Sequence, residues 1–206
     1  MSRRQVLKAG GMTAATALAG CSNLPGTGSG GKSYEDLSNP YLGDEQGDVV
    51  VEVWEDYSCS HCRAFNLKVL PRLYQEYIKD GSIKYVHHDY PLPMNRWSWD
   101  VAYVARKVQA SAGREAFWVF VRNAYEYQSD YSVGTLKSIA DKMTKTESSI
   151  VEPAIQNQAY RKTIETDKQK GENNGVEGTP WVTVNGEQVP RDFRSISAQI
   201  ESLKQR

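Results

Sequence analysis

The chain has 206 residues, 25 basic and 25 acidic side chains, and 39% hydrophobic residues. This length suits one domain, or one domain carrying an insertion, and the composition favours a globular protein over a disordered one. The formal net charge of zero excludes the basic footprint of a nucleic-acid-binding protein, and three cysteines are too few for a scaffold built from disulfides.

Residues 1–20 have the organisation of an export signal. Residues 2–8 (SRRQVLK) resemble a twin-arginine motif, and the apolar run after them is too short and too polar to span a bilayer. Residues 18–21 (LAGC) resemble a lipobox, which predicts lipid attachment at Cys21, followed by a flexible Gly/Ser-rich linker that ends at residue 33. The alternative is an Ala-rich tail with a chance cysteine. The motifs predict a lipoprotein on the outer face of the cell membrane, where disulfide chemistry is possible.

Hydrophobic periodicity divides the rest of the chain into strands and helices. Strands are predicted at residues 48–54, 82–88, 181–185 and 187–189, the last two joined by the turn at Asn185-Gly186. Helices are predicted at residues 59–80, 98–112, 114–127, 133–143, 147–173 and 192–204. Pro71 should kink the first helix, and a break is expected near Pro153. The order of elements predicts an α/β domain that contains a helical block.

Cys59 and Cys62 form a C-x-x-C pair that follows a predicted strand and opens a predicted helix. A thiolate at a helix N-terminus meets unpaired backbone N–H groups and the positive end of the helix dipole, and both lower its pKa. Cys62 can close a small disulfide or resolve a mixed disulfide at Cys59. His61 can add positive charge or a hydrogen bond to the Cys59 sulfur. Asp56 or Ser58 is expected to cap the helix.

The C-x-x-C pair has three other interpretations. A zinc site needs two more ligands, and a copper site would use the thiols with one histidine, but only His61, His87 and His88 are available. His87 and His88 are expected on opposite faces of one strand, one buried and one exposed. A purely structural disulfide would enclose too short a loop to constrain the unfolded chain. We therefore predict no metal and no cofactor.

Four segments carry a resemblance to a known family. Residues 51–65 (VEVWEDYSCSHCRAF) resemble the active-site segment of the DsbA-like thiol-disulfide oxidoreductases, which have the thioredoxin fold. The kinked first helix with its second strand, the exit from that strand, and the cis-proline loop with its hairpin are similar to residues 69–86, 89–92 (DYPL) and 178–186 (GTPWVTVNG). The resemblance implies an α/β thioredoxin-like domain of residues 34–91 and 174–206, interrupted by an all-helical insertion at residues 92–173.

The resemblance also implies roles for individual residues. Cys59 would be the attacking and leaving cysteine, and Cys62 the buried resolving cysteine. Pro180 would be cis, Thr179 would offer its backbone to a substrate peptide, and Ser60 would lie at the substrate side of the site. The implied partners are cysteine-containing exported proteins and an unidentified membrane redox partner. The alternatives are a reductase or isomerase fed by a membrane donor, and a copper- or zinc-binding module without turnover.

The sequence departs from the family pattern at two positions. Many members have proline after the first cysteine, where this chain has Ser60. Related proteins often carry a buried acid six residues before that cysteine, where this chain has Val53. Glu52 and Glu55 are expected on the opposite face of the strand. A bulge would then have to bring one of them beneath the site, or water or another group would have to move the proton.

Overall fold

A computed structural model of the protein describes residues 37–205. The predicted signal peptide, Cys21 and the predicted linker lie outside these residues. Within residues 37–205 no helix has the length and apolar character needed to cross a membrane.

Five strands form one mixed sheet in the order β1-β3-β2-β4-β5. The central strand β2 (Val50–Glu55) pairs in parallel with β3 (Lys84–Asp89) and antiparallel with β4 (Trp181–Val184). The predicted hairpin forms, and β5 (Glu187–Val189) is an edge strand. At the other edge β1 (Tyr41–Gly43), which the sequence did not predict, pairs antiparallel with β3. The parallel β2–β3 pair places the carboxyl ends of both strands at one edge of the sheet.

The predicted helix after β2 is helical throughout but is widened twice. Its parts are α1 (Ser60–Ala64), a π turn (Phe65–Val69), α2 (Leu70–Leu73) and a second π turn (Tyr74–Ile78). The Leu70 N–H donates to the Phe65 carbonyl, one residue further back than in an α-helix. Pro71 follows at once and has no N–H to donate. The disturbance expected at Pro71 is therefore a local widening of the helix.

Four helices lie between β3 and β4 in the chain. They are α3 (Trp97–Glu126), α4 (Val133–Thr144), α5 (Val151–Gln156) and α6 (Arg161–Asn173). Gly113, with φ of 87°, separates the two halves of α3 at the boundary that the sequence predicted between two helices. The break expected near Pro153 lies at residues 157–160 instead, where Gln158 and Tyr160 have positive φ. Pro153 is in the first turn of α5, where its missing N–H costs no hydrogen bond.

The buried residues form two main cores, and the cysteines belong to the second. The first core lies between the sheet, the helical segment 60–78 and α7 (Phe193–Lys204), whose N-terminus is capped by Asp192. The second core lies within the helical block and includes Cys59, Cys62 and their neighbour Tyr57. The cysteine pair is therefore packed where the sheet end meets the helical block.

Candidate active site

Cys59 is the N-cap residue of α1, with extended backbone angles of φ −81° and ψ 120°. The expected side-chain cap from Asp56 or Ser58 does not form, because Asp56 is engaged in the loop itself. Its carboxylate accepts hydrogen bonds from the Ser58 N–H, the Leu92 N–H and the Ser98 hydroxyl. Asp56 thus fixes the turn between β2 and α1 and leaves the first N–H groups of the helix to the Cys59 sulfur.

The surroundings of Cys59 stabilise its thiolate. A hydrogen bond from the Cys62 thiol, then a hydrogen bond with Thr179, and then the backbone N–H groups of Cys62 and His61 lower the pKa of Cys59 to about 5, against the opposing effect of burial. The His61 side chain is exposed, so the part of His61 that acts on the sulfur is its backbone. The expected helix-terminus effect on Cys59 is thus present in the geometry.

Cys62 has the opposite environment. It is completely enclosed, whereas Cys59 is 6% exposed. Burial, the hydrogen bond that its thiol donates to Cys59, and the charge of Glu55 raise the pKa of Cys62 well above the ordinary value of a thiol. The pair therefore holds one acidic thiol near the surface and one thiol that keeps its proton in the interior.

The predicted cis-proline loop faces Cys59. The Thr179-Pro180 peptide bond is cis, and the Thr179 carbonyl oxygen lies 3.4 Å from the Cys59 sulfur. Ser60 is exposed beside the pair. The structure thus brings together the residues that the sequence assigned to the site.

The helical block also holds the active-site turn, through residues that the sequence did not single out. Gln128 donates from its side-chain amide to the carbonyls of Tyr57 and Cys59, at 2.8 and 3.0 Å. The Tyr131 hydroxyl donates to the Tyr57 carbonyl, and Arg63 of α1 donates to the carbonyl of Tyr125 at the end of α3. No local sequence pattern predicts such contacts, because each joins segments that are far apart in the chain.

The expectation for Glu55 is wrong, and the structure places this residue beneath the cysteine pair. Glu55 follows Val53 by two positions, so alternation puts both on the same strand face, with Glu52 on the other. Its carboxylate is 1% exposed and accepts a hydrogen bond from Asn66, whose amide also donates to the Cys62 carbonyl. Burial raises the pKa of Glu55. No bulge is needed, since the last residue of β2 supplies the buried acid.

His87 and His88 are both buried, against the expectation that one would be exposed. The ring of His87 lies between Glu55 and Asp89, at 3.2 and 3.1 Å. The ring of His88, on the other face of β3, lies between Glu52 and Asp167. α6 covers that face and provides Asp167, which encloses His88. Both histidines, which a zinc or copper site would need as ligands, are thus engaged with carboxylates on opposite faces of the sheet.

Comparison with known proteins agrees with this geometry. The Thioredoxin family profile matches residues 35–202. The probable disulfide bond formation protein D of Bacillus cereus is 25% identical over 166 residues, which cover 78% of this chain and 76% of that protein. The crystal structure of BdbD from Bacillus subtilis has a TM-score of 0.74 at 23% identity, with coverage of 80% of this chain and 91% of the other.

A second solved structure, the thiol-disulfide exchange protein α-DsbA2 from Wolbachia pipientis, has a TM-score of 0.69 at 26% identity. The matched region covers 82% of this chain and 88% of the Wolbachia protein chain. These similarities confirm the predicted α/β thioredoxin-like fold with a helical insertion. The matched profile spans most of the sequence and includes both the C-x-x-C segment and the cis-proline loop. The chain is therefore a member of the thioredoxin family, with the DsbA-like form of its fold.

Proposed function

We propose that the protein is an extracytoplasmic thiol-disulfide oxidoreductase that oxidises cysteine pairs of exported proteins through a Cys59–Cys62 disulfide. The observation that carries the proposal is the contrast between the two thiols. The pKa of Cys59 is lowered to about 5, and that of Cys62 is raised. A thiolate stabilised in the reduced protein makes the corresponding disulfide a stronger oxidant, because reduction then yields a more stable product.

The reaction begins at Cys59. A substrate thiolate attacks the Cys59 sulfur of the disulfide, the bond between the cysteines breaks, and a mixed disulfide joins Cys59 to the substrate. Attack falls on Cys59 because Cys62 is fully enclosed. The Thr179 backbone, beside the Cys59 sulfur, can align an extended substrate chain for this attack.

A second substrate thiolate then attacks the substrate sulfur of the mixed disulfide. A substrate disulfide forms, and Cys59 leaves as its stabilised thiolate. Starting from two thiols, the substrate has lost two electrons and two protons. The protein disulfide has become a thiolate and a thiol, which takes up both electrons and one proton, and the other proton goes to solvent. The proton that Cys62 needs as it leaves, and must lose when the disulfide is formed again, is assigned to Glu55, the buried carboxyl beneath it.

The cycle closes when an oxidant takes two electrons from the reduced pair. We assign this step to a membrane redox partner that carries a disulfide or is linked to a quinone. The predicted export signal and the predicted lipid attachment at Cys21 support the proposed location. The name of the B. cereus relative, a probable disulfide bond formation protein, supports the oxidising direction. Loss of membrane association in Cys21→Ser, with unchanged thiol chemistry, would support the anchor; retained association would reject it.

The direction of electron flow is tested by the redox equilibrium of Cys59 and Cys62 in glutathione buffers. In the full chain, the fraction of each cysteine that is present as a free thiol is measured by alkylation and peptide mass. For a two-electron couple ~30 mV changes the equilibrium constant about tenfold, so an oxidant and a reductant separate clearly. We expect the pair to stay reduced until the buffer is strongly oxidising. A pair that is oxidised even in a reducing buffer would reject the proposal in favour of a reductase with a membrane electron donor.

A further inference from the structure

His87 lies at the centre of a buried chain of charged side chains that starts at Glu55. Its Nδ1 is 3.2 Å from Glu55 Oε2, and its Nε2 is 3.1 Å from Asp89 Oδ1. An ionised carboxylate has only acceptor atoms, so both ring nitrogens carry a proton when both carboxyls are charged. Burial alone would lower the pKa of His87, but the hydrogen bonds to Asp89 and Glu55 outweigh it and raise the pKa to about 9. The geometry fits an imidazolium between two carboxylates.

Asp89 cannot turn away from this ring, because its other oxygen is held by an arginine. Arg106 donates from Nε to Asp89 Oδ2 at 2.6 Å and from a terminal nitrogen to Asp167 Oδ2 at 2.6 Å. The guanidinium is fully buried. Burial raises the pKa of Asp89, but the charges of Arg106 and His87 and the hydrogen bonds from both together outweigh it and lower the pKa to about 2. The Asp89 end of the chain therefore stays charged, and the end that can change its protonation is Glu55.

The other neighbours of the His87 ring are aromatic side chains that carry no charge. Phe117 and Trp118 of α3 approach edge-on, with ring centroids 5.4 and 6.1 Å away. Tyr57 of the active-site turn lies at 6.1 Å, and burial raises its pKa well above the ordinary value, so it stays neutral. The titratable groups on the far side of Glu55 are Cys59, Cys62, Tyr85 and Tyr125.

We infer that His87 is a positioning residue of the thiol exchange, whose imidazolium holds the Glu55 carboxylate charged and directed beneath Cys62 so that it can accept the Cys62 proton. This inference rests on the proposed function. When the disulfide forms again, the Cys62 S–H gives its proton to Glu55 and the resulting thiolate attacks Cys59. The bond from Cys59 to its partner breaks, and the partner leaves as a thiolate. Burial raises the pKa of Glu55 and His87 lowers it, so loss of the cation would favour the protonated carboxyl, which cannot take this proton.

The test follows the attack of Cys62 on a preformed mixed disulfide between Cys59 and a coloured aromatic thiol. Release of the aromatic thiol is timed as a function of pH in the full chain carrying Cys21→Ser. An opposite charge within hydrogen-bond reach lowers a carboxyl pKa by about 1 to 3 units. We therefore expect His87→Gln to move the acid limb of the pH profile upward by about 1 to 3 pH units. At a pH on that limb, release should be at least about tenfold slower.

Two comparisons separate this role from a general effect on folding. His88→Gln is the matched control, because His88 is equally buried between two carboxylates but lies on the opposite strand face. Its pH profile should match that of the parent. Glu55→Gln should slow release, and His87→Gln should slow it no further in that background, because His87 acts through Glu55.

The inference would be overturned by an unchanged pH profile for His87→Gln. It would also be overturned if His87→Gln slowed release in the Glu55→Gln background as much as it does in the parent.

Absence of thiol release in the parent would reject the proposed function. The inference about His87 is then tested separately, by NMR titration. The expected signals are those of a doubly protonated His87 ring at neutral pH and a Glu55 carboxyl whose pKa rises in His87→Gln. A neutral His87 ring in the parent would overturn the inference even if His87→Gln does not fold.

Discussion

The sulfur of Cys59 and the carbonyl oxygen of Thr179 lie 3.4 Å apart, although 120 positions of sequence separate the two residues. The contact joins the N-terminus of α1 to the cis-proline loop. It leaves one backbone edge of the loop beside the reactive sulfur, which suits a substrate bound as an extended chain. Covalent trapping of such a substrate can test this arrangement directly.

Cys62→Ser should accumulate mixed disulfides on Cys59. The probe is a peptide whose one cysteine is held as a disulfide with an aromatic thiol, and the chain also carries Cys21→Ser. The Cys59 thiolate attacks the peptide sulfur, the aromatic thiol leaves, and the serine hydroxyl cannot resolve the mixed disulfide that results. The adduct is detected by non-reducing electrophoresis and peptide mass. Cys59→Ser is the matched control and should form no adduct, since its remaining active-site thiol is enclosed. Equal trapping by both variants would contradict the assignment of Cys59 as the attacking residue.

The stability of the reduced protein should rise with pH relative to that of the oxidised protein. The pKa of Cys59 falls from an ordinary 9.0 to about 5 on folding, so the unfolded state binds more protons between these values. This stabilisation is complete above the higher value and is lost as pH falls through the lower one. At ~1.4 kcal/mol per pH unit, the gain from pH 5 to neutral is about 2 to 3 kcal/mol.

Urea unfolding of both redox forms at several pH values measures this difference. The oxidised form is the internal control, because it has neither active-site thiol and shares the other ionisable groups. The Cys62 thiol does not contribute to the difference below its ordinary pKa, since folding raises that pKa further. A constant difference between the two forms across this pH range would show that the Cys59 thiolate is not stabilised by folding.

Arg106→Met should destabilise the fold by about 3 to 5 kcal/mol, because it leaves buried carboxylates without their cation. Asp89 and Asp167 both bind Arg106 and are almost fully enclosed. Lys170→Met is the control, since Lys170 is half-exposed in its ion pair with Glu52 and such pairs contribute about 0 to 1 kcal/mol. Urea unfolding at neutral pH compares the two variants. Similar losses in both would mean that the buried network contributes no more than a surface pair.

Gly171→Ala should destabilise the protein although alanine favours helices. A Cβ atom at this position of α6 would lie 2.8 Å from Trp54 and 2.8 Å from Tyr90, both buried. Overpacking of this kind costs about 1 to 3 kcal/mol, more than the ~1 kcal/mol gained in helix propensity. Gly134→Ala in α4 is the control, because its Cβ meets only Ser132 Oγ at 3.6 Å. In thermal unfolding, the midpoint temperature should be lower for Gly171→Ala than for the parent, and unchanged or higher for Gly134→Ala.

The strands around the site were predictable because their hydrophobic pattern is local. β1 was not, since three residues at a sheet edge give no periodicity and owe their structure to pairing with β3. The alternation of side chains along a strand is sufficient to place Glu55 on the same face as Val53. The prediction that Glu55 lies on the opposite face is wrong because it miscounts this alternation. Arg106 is different. It lies in a helix whose apolar face the sequence predicts, and its burial depends on carboxylates from β3 and α6 that meet only in the folded chain.

The hydrogen bonds from Gln128 and Tyr131 to the carbonyls of Tyr57 and Cys59 connect the nucleophile to the segment between α3 and α4. The turn before α1 therefore cannot open unless these contacts break. Amide hydrogen exchange in this turn should follow exchange at the end of α3 as one cooperative unit. Substitutions in the helical block far from any substrate can then change how often the reactive cysteine is exposed.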